Sequence, residues 1–171
     1  MPVVQVTIVL RQYTVADLDR LVALANNKRV SQYLMDTFPH PYTRAAGEWW
    51  IAVGSTQNGA MTRVIDYQGQ LVGSVAISPQ NGWRQHLGEI GYWIGEEHWG
   101  KGFATEALAQ MTGYGFASRQ FDKLYAPVLA PNVASMRVLE KCGYAAEAVL
   151  KSEVKKDGRV FDLHRYARHR R

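Results

Sequence analysis

The stretch GEEHWGKGFAT, Gly95 to Thr105, lies between a β-type apolar run and a helical one. Its Gly100-Lys101-Gly102 step has the chemistry of an anion site. Glycines let the backbone come close to an anion. The first amides of the following helix lack intrahelical partners and sit at the positive end of its dipole. Gly95, Gly100 and Lys101 match the start of the nucleotide-binding pattern G-x-x-x-x-G-K-S/T, but Gly102 stands where a magnesium-binding hydroxyl is needed. His98 and Trp99 are bulky for a backbone that must wrap a triphosphate, and no second buried strand ends in a suitable Asp. The dinucleotide pattern G-x-G-x-x-G also fails, because the run from Gly100 ends in Thr105. What survives is a row of amides, Lys101 to Thr105, able to face a pyrophosphate without a metal.

Other residues could take part in proton chemistry. Glu89 sits among Gly88, Ile90 and Gly91, which is odd for a purely solvated face; it is either a base or water-holder, or an acid on the strand's outer side. Glu106 reads as a first-turn helix acid. Ser135, Leu139 and Cys142 share one helix face. Cys142, before Gly143-Tyr144, reads as a small buried hydrophobe. His40, His86, His98, His164 and His169 lack metal-ligand spacing, so no metal is expected.

These residues need elements to position them. Val3 to Gln12 alternates and is β-branched, as a strand does. Thr14 opens a helix carrying Leu18, Leu21 and Val22, and Thr43 caps another through Glu48, Trp49 and Trp50. Between them a short helix runs into a Pro-punctuated loop. MTRVIDY and QLVGSVAIS form a hairpin about Gln68-Gly69, and HLGEIGYWI is the strand before the glycine loop. Ala104, Ala107, Leu108 and Met111 recur at helical spacing, with Phe116 extending the face. DKLYAPVL is a buried strand, and the helix after Pro131 ends at Gly143. Two last strands turn at Lys156-Asp157-Gly158. This alternation predicts one α/β domain over residues 1–171, with a mixed sheet and helices on its faces.

With 171 residues, 47% hydrophobic, the chain can bury a sizeable core. No apolar run approaches the ~20 residues of a membrane span. The start lacks a signal-peptide pattern, and the single cysteine allows no internal disulfide, so the cytoplasm is the expected location. The net charge of +5 is concentrated in RYARHRR, which reads as a frayed basic tail, and a nucleic-acid partner is not required.

The strand GEIGYWI, the loop HWGKGFATEAL and the later NVASMRVLEKCGY resemble the Gcn5-related N-acetyltransferases, in particular their RimJ/RimL-like branch. The resemblance covers nearly the whole chain. The family motif Q/R-x-x-G-x-G/A reads Trp99-Gly100-Lys101-Gly102-Phe103-Ala104 here, departing at its first position. The resemblance implies a mixed sheet of about seven strands, with a splayed strand pair holding acetyl-CoA. It puts the pyrophosphate on the amides of Lys101 to Thr105. It puts the pantetheine arm on the main chain of Tyr92, Trp93 and Ile94, whose side chains are expected to be ordinary strand packing. Asn132 matches a family Asn that bonds to pantetheine, and it equally suits a helix N-cap. Leu139 stands where many relatives carry a Tyr that protonates the leaving thiolate. Ser135, one turn earlier, matches the serine that takes this role in the RimL-like branch, or it is a small packing residue. Glu89 matches an acid often seen in the branch, suited to act as base.

The implied activity is acetyl transfer from acetyl-CoA to a primary amine, on a protein N-terminus or a small molecule, by a monomer or homodimer. A domain that binds CoA without transfer is the alternative, and a nucleic-acid binder using the basic tail is a weaker one.

Overall fold

The computed structural model describes residues 6–118 and 120–171. Seven strands form one sheet: β1 (Val9–Arg11), β2 (Met61–Tyr67), β3 (Gln70–Pro79), β4 (Leu87–Ile94), β5 (Lys123–Leu129), β6 (Ala145–Lys156) and β7 (Arg159–His169). The helices are α1 (Leu18–Ala25), α2 (Lys28–Ser31), α3 (Arg44–Ala52), α4 (Phe103–Ala117) and α5 (Val133–Lys141). The strand order is β1-β2-β3-β4-β5-β7-β6. All neighbours are antiparallel except β4 and β5. The expected mixed sheet is present. The hairpin turns at Gln68-Gly69 and Asp157-Gly158 carry the paired positive φ angles that such two-residue turns demand. The first strand is shorter than the expected Val3 to Gln12, of which residues 3–5 lie outside the described residues.

The sheet separates two apolar layers. On one face Ala107, Leu108 and Met111 of α4 and Leu139 of α5 pack on Val75, Ile77, Ile90 and Leu124. On the other, Leu21 and Leu24 of α1 pack with Tyr42, Val64 and Leu71, flanked by Ala46 and Trp50 of α3. Alternation along β3 and β4 produces this division, since successive side chains point to opposite faces. The helix ends follow their sequence signals. Thr43 Oγ1 accepts from the Ala46 amide at 3.1 Å, and Gly143 adopts φ +80° after α5, where the Tyr144 amide returns to the Leu139 carbonyl.

The basic end departs from the expected frayed tail. β7 pairs with β5 up to His169, so this segment lies inside the sheet. Arg168 donates to the Cys142 carbonyl at 2.7 Å, and Arg170 pairs with Asp122 at 2.6 Å. Arg165 and Arg168 lie in the strand, and Arg168 and Arg170 are held by carbonyl and carboxylate partners.

Arg11 of β1 ties the first strand to the rest. It bonds Asp17 through both terminal nitrogens at 2.8 Å and Asp66 of β2 at 2.6 Å. The Asp17 side chain is only 7% exposed. Burial works to raise its pKa, but hydrogen bonds from Arg11 and the Thr14 amide outweigh this and hold it below the usual carboxylate value. A lowered folded-state pKa stabilises the fold above the unfolded-state pKa, and the gain disappears as pH falls through the folded-state value. Asp17→Asn is therefore expected to cost about 1–3 kcal/mol at neutral pH. In urea titrations its deficit should shrink as the pH is taken below about 4.

Candidate active site

The site begins where two parallel strands part. β4 and β5 pair only at Leu87, Gly88 and Glu89 against Lys123, Leu124 and Tyr125. Beyond that, Ile90–Ile94 remains paired with β3 and Ala126–Leu129 with β7, but not with each other. A cavity of about 460 Å³ passes through this gap. On one side it is lined by Tyr92, Asn132 and Ser135, and on the other by Glu89, Trp93 and residues of α3 and the 33–42 loop.

The glycine loop follows directly from β4. Gly100 has φ +72° and Gly102 φ +83°, angles that favour glycine. A Cβ on either would meet nothing closer than Val6 at 3.9 Å from Gly102, so backbone angle, not crowding, demands glycine here. Gly102 is the N-cap of α4, a helix of 15 residues. The Glu106 amide bonds back to the Gly102 carbonyl at 3.1 Å. The amides of Lys101 through Thr105 have no acceptor among the described residues. Side chains brace the loop. Trp99 Nε1 donates to the Ile94 carbonyl at 2.7 Å, tying the loop to the end of β4, and Lys101 Nζ donates to the Glu97 carbonyl at 2.9 Å. Phe103, 3% exposed, anchors the helix start against Tyr67. Trp99, at the motif's departing first position, thus acts as a strut.

Glu89 occupies the fork of the gap, half-buried. Its Oε2 accepts from Tyr125 Oη at 3.0 Å, and its Oε1 has no partner among the described residues. Tyr125 stands opposite in the parallel register, so the two side chains share a face. Arg84 donates to Tyr125 Oη at 3.1 Å, and the Arg165 guanidinium lies 3.8 Å from the ring centroid. Burial raises the Tyr125 pKa, and the Glu89 charge raises it further, so the phenol remains a donor.

Across the sheet, Tyr92 Oη lies 2.9 Å from Ser135 Oγ and 3.1 Å from the Ser135 carbonyl. Burial pushes the Tyr92 hydroxyl far above its ordinary value, so it is protonated throughout the neutral range. Asn132 Oδ1 accepts from the Ser135 amide at 3.3 Å, the cap geometry expected, and its Nδ2 has no partner among the described residues. Leu139 is fully buried in the core and offers no group to the gap.

Ser135, Asn132 and Tyr92 thus converge on one side, with Glu89 and Trp93 on the other. The Trp93 side chain packs as expected, edge-on against Phe38 at 5.5 Å, whereas that of Tyr92 does more than pack, since it bonds Ser135. Tyr33, Phe38, Tyr42, Trp49 and Trp50 also line the cavity, whereas His40 does not. Cys142 is buried as expected, its thiol donating to the Thr105 carbonyl, with burial raising its pKa. Glu106 lies in the first turn of α4 and accepts from Gln110. Sequence reading missed Tyr125, Arg84 and Arg165. Once β4 and β5 are recognised as parallel neighbours, Tyr125 is legible as the register partner of Glu89; nothing local marks Arg84 or Arg165.

The family model for the acetyltransferase (GNAT) domain matches residues 7–145. The uncharacterized N-acetyltransferase YoaA of Bacillus subtilis is 27% identical over 175 residues, covering 94% of this chain and 92% of that protein. Several other relatives are matched over less than half of their own length. Among solved structures, the RimL ribosomal L7/L12 alpha-N-protein acetyltransferase, in complex with coenzyme A, superposes with a TM-score of 0.84 at 20% identity, covering 97% of this chain and 96% of that one. The spermidine N-acetyltransferase of Vibrio cholerae, in complex with CoA and spermine, gives 0.80 at 26% identity and 95% of each chain.

A carboxylate at position 102 would sit among the bare amides and oppose any bound phosphate. Gly102→Glu is expected to weaken coenzyme A binding by at least about tenfold, a loss of ~1.4 kcal/mol or more. Calorimetry on the folded variant checks this.

Proposed function

The chain belongs to the acetyltransferase (GNAT) family, and on that premise we propose how its own residues move the acetyl group of acetyl-CoA to a primary amine. The observation that carries this reading is the gap between β4 and β5, with a carboxylate at one mouth, a hydroxyl pair at the other and bare helix amides at its end. The residues present suit acetyl-CoA. The amides of Lys101, Gly102, Phe103, Ala104 and Thr105 hold the pyrophosphate, with Gly100 giving close approach. The main chain of Tyr92, Trp93 and Ile94, open toward β5, pairs with the pantetheine arm. Asn132 serves both its readings: Oδ1 caps α5 while Nδ2 is free to donate to the arm.

Glu89 acts as base. An ammonium cannot attack, so its proton passes to Oε1, directly or through a water, while Tyr125 and Arg84 hold the carboxylate in place. The neutral nitrogen adds to the thioester carbonyl carbon; the C–N bond forms and the C–S bond breaks. The departing sulfur accepts a proton from Ser135 Oγ, and the second amine proton restores that hydroxyl. Tyr92, kept protonated by burial, has one proton and two acceptors on Ser135, the carbonyl and Oγ; turned to Oγ, it orients Ser135 and makes the serine proton easier to give. The acid thus comes from α5 and β4 together, not from the position of Leu139.

The acceptor is a protein N-terminus, as the name of RimL indicates for that enzyme, or a small amine, as for the spermidine enzyme. A reducing cytoplasm suits the single free thiol, Cys142. Among the described residues no helix is long and apolar enough to cross a membrane. The deciding experiment is thiol release from acetyl-CoA with N-terminal peptides, polyamines and aminoglycosides. Release establishes transfer. Coenzyme A binding without release from any amine points to a domain that holds CoA and does not transfer.

Glu89→Gln is expected to lower kcat/KM by roughly 10²–10⁴, most at low pH, where the acceptor is most protonated. A pH profile parallel to the parent's removes Glu89 from the mechanism. Ser135→Ala keeps the amide that Asn132 caps, so kcat should fall about tenfold or more with the KM for acetyl-CoA nearly unchanged. Tyr92→Phe should give a smaller fall in kcat alone.

A further inference from the structure

The amine side of the cavity has an unusual wall, and its composition narrows the acceptor. Tyr33, Phe38, Tyr42, Trp49, Trp50 and Trp93 line it. They brace one another: Phe38 lies 5.3 Å from Tyr42 and 5.5 Å from Trp93, and Trp49 lies 6.5 Å from Trp50. The rings are tilted or edge-on to one another, at 45°, 68° and 46°, and together form an aromatic slot. The floor is the sheet face carrying Ser74, Ala76 and Glu89. Glu89 is the one acidic or basic residue among those that line the cavity.

That charge count decides between acceptor classes. A polyamine or aminoglycoside brings a second ammonium, which is costly to take out of water away from a carboxylate, ring faces offering only a weaker attraction. No second carboxylate lines the wall. Asp36, on the loop above, is turned to solvent with its side chain 87% exposed, and Lys156 Nζ lies 3.9 Å from it. Glu48 of α3 is also exposed, with Arg44 beside it. An amine with one ammonium and an apolar, ring-bearing body satisfies both parts of the site: the ammonium meets Glu89 and the body meets the rings.

We propose, resting on the transferase reading above, that the acceptor is a primary monoamine carrying an aromatic group one or two carbons from the nitrogen. Such chemistry occurs on a free arylalkylamine and at a peptide N-terminus that begins with an aromatic residue. Polyamines fall outside it, so this chain differs in acceptor from the spermidine enzyme it resembles.

The test uses the whole chain with acetyl-CoA and compares 2-phenylethylamine, tryptamine, phenylalanyl-alanine amide, butylamine, spermidine and kanamycin by thiol release. Binding of 2-phenylethylamine is read separately by quenching of tryptophan fluorescence. The expected result is a kcat/KM for the best aromatic amine at least about a hundredfold above spermidine and tenfold above butylamine, the range that pocket contacts can deliver. Free amine and dipeptide amide, compared directly, identify which source the slot takes. A preference for spermidine or kanamycin, or equal rates for butylamine and 2-phenylethylamine, overturns the acceptor inference and leaves transfer standing. Saturable quenching without release from any amine supports the slot and removes the transfer reading. Release with other amines and no binding of any aromatic amine overturns the slot. Ala76→Asp adds a second carboxylate to the floor, and it should shift the preference toward spermidine at least tenfold; an unchanged ratio counts against the charge argument.

Discussion

An open seam in the middle of a sheet is the constraint on which this structure depends. Backbone amides and carbonyls in a sheet normally find partners on both sides, and unpaired ones are costly when buried. Here β4 and β5 pair for three residues and then diverge, each held on its far side by an antiparallel neighbour. β3 holds β4 from Gly88 to Ile94, and β7 holds β5 over its whole length, so the gap is braced from outside. Such a seam is suited to a ligand that is itself a hydrogen-bonding chain.

The chemistry is divided by the pleat. Glu89 and Trp93 project to one face of β4 and Tyr92 to the other. The Glu89 carboxylate and the Tyr92–Ser135 hydroxyl pair therefore stand on opposite sides of the sheet and meet only through the gap. Each is held by a partner from a different element: Tyr125 of β5 orients Glu89, while Tyr92 of β4 orients Ser135 of α5. Burial raises the pKa of both phenols, which keeps them as donors.

The order of elements was legible because each carried local signals: alternation in MTRVIDY and QLVGSVAIS, Thr43 as a cap, Gly143 as a stop, Asp157-Gly158 as a turn. The glycine loop was legible for the same reason, since positive φ at Gly100 and Gly102 is a local demand. The site's cross-element pairs were not. Tyr92 reads as an ordinary strand residue until α5 is laid beside it, and the aromatic slot draws on α3, the 33–42 loop and β4 together. The basic segment misled because composition alone does not distinguish a tail from a strand end whose Arg168, and Arg170 just beyond it, have partners at Cys142 and Asp122.

The strand order also affects how the protein is made. β5 touches β4 over three residues, and its long pairing is with β7, which spans residues 159–169. During synthesis the glycine loop, α4 and α5 all leave the ribosome before the strand that fixes β5 exists. Until then β5 presents an unclaimed edge, the kind of surface chaperones shield and neighbouring chains pair with. One wall of the seam is completed only when β7 takes its place between β5 and β6, so the nascent chain gains its working cleft only after the glycine loop, α4 and α5 have been made.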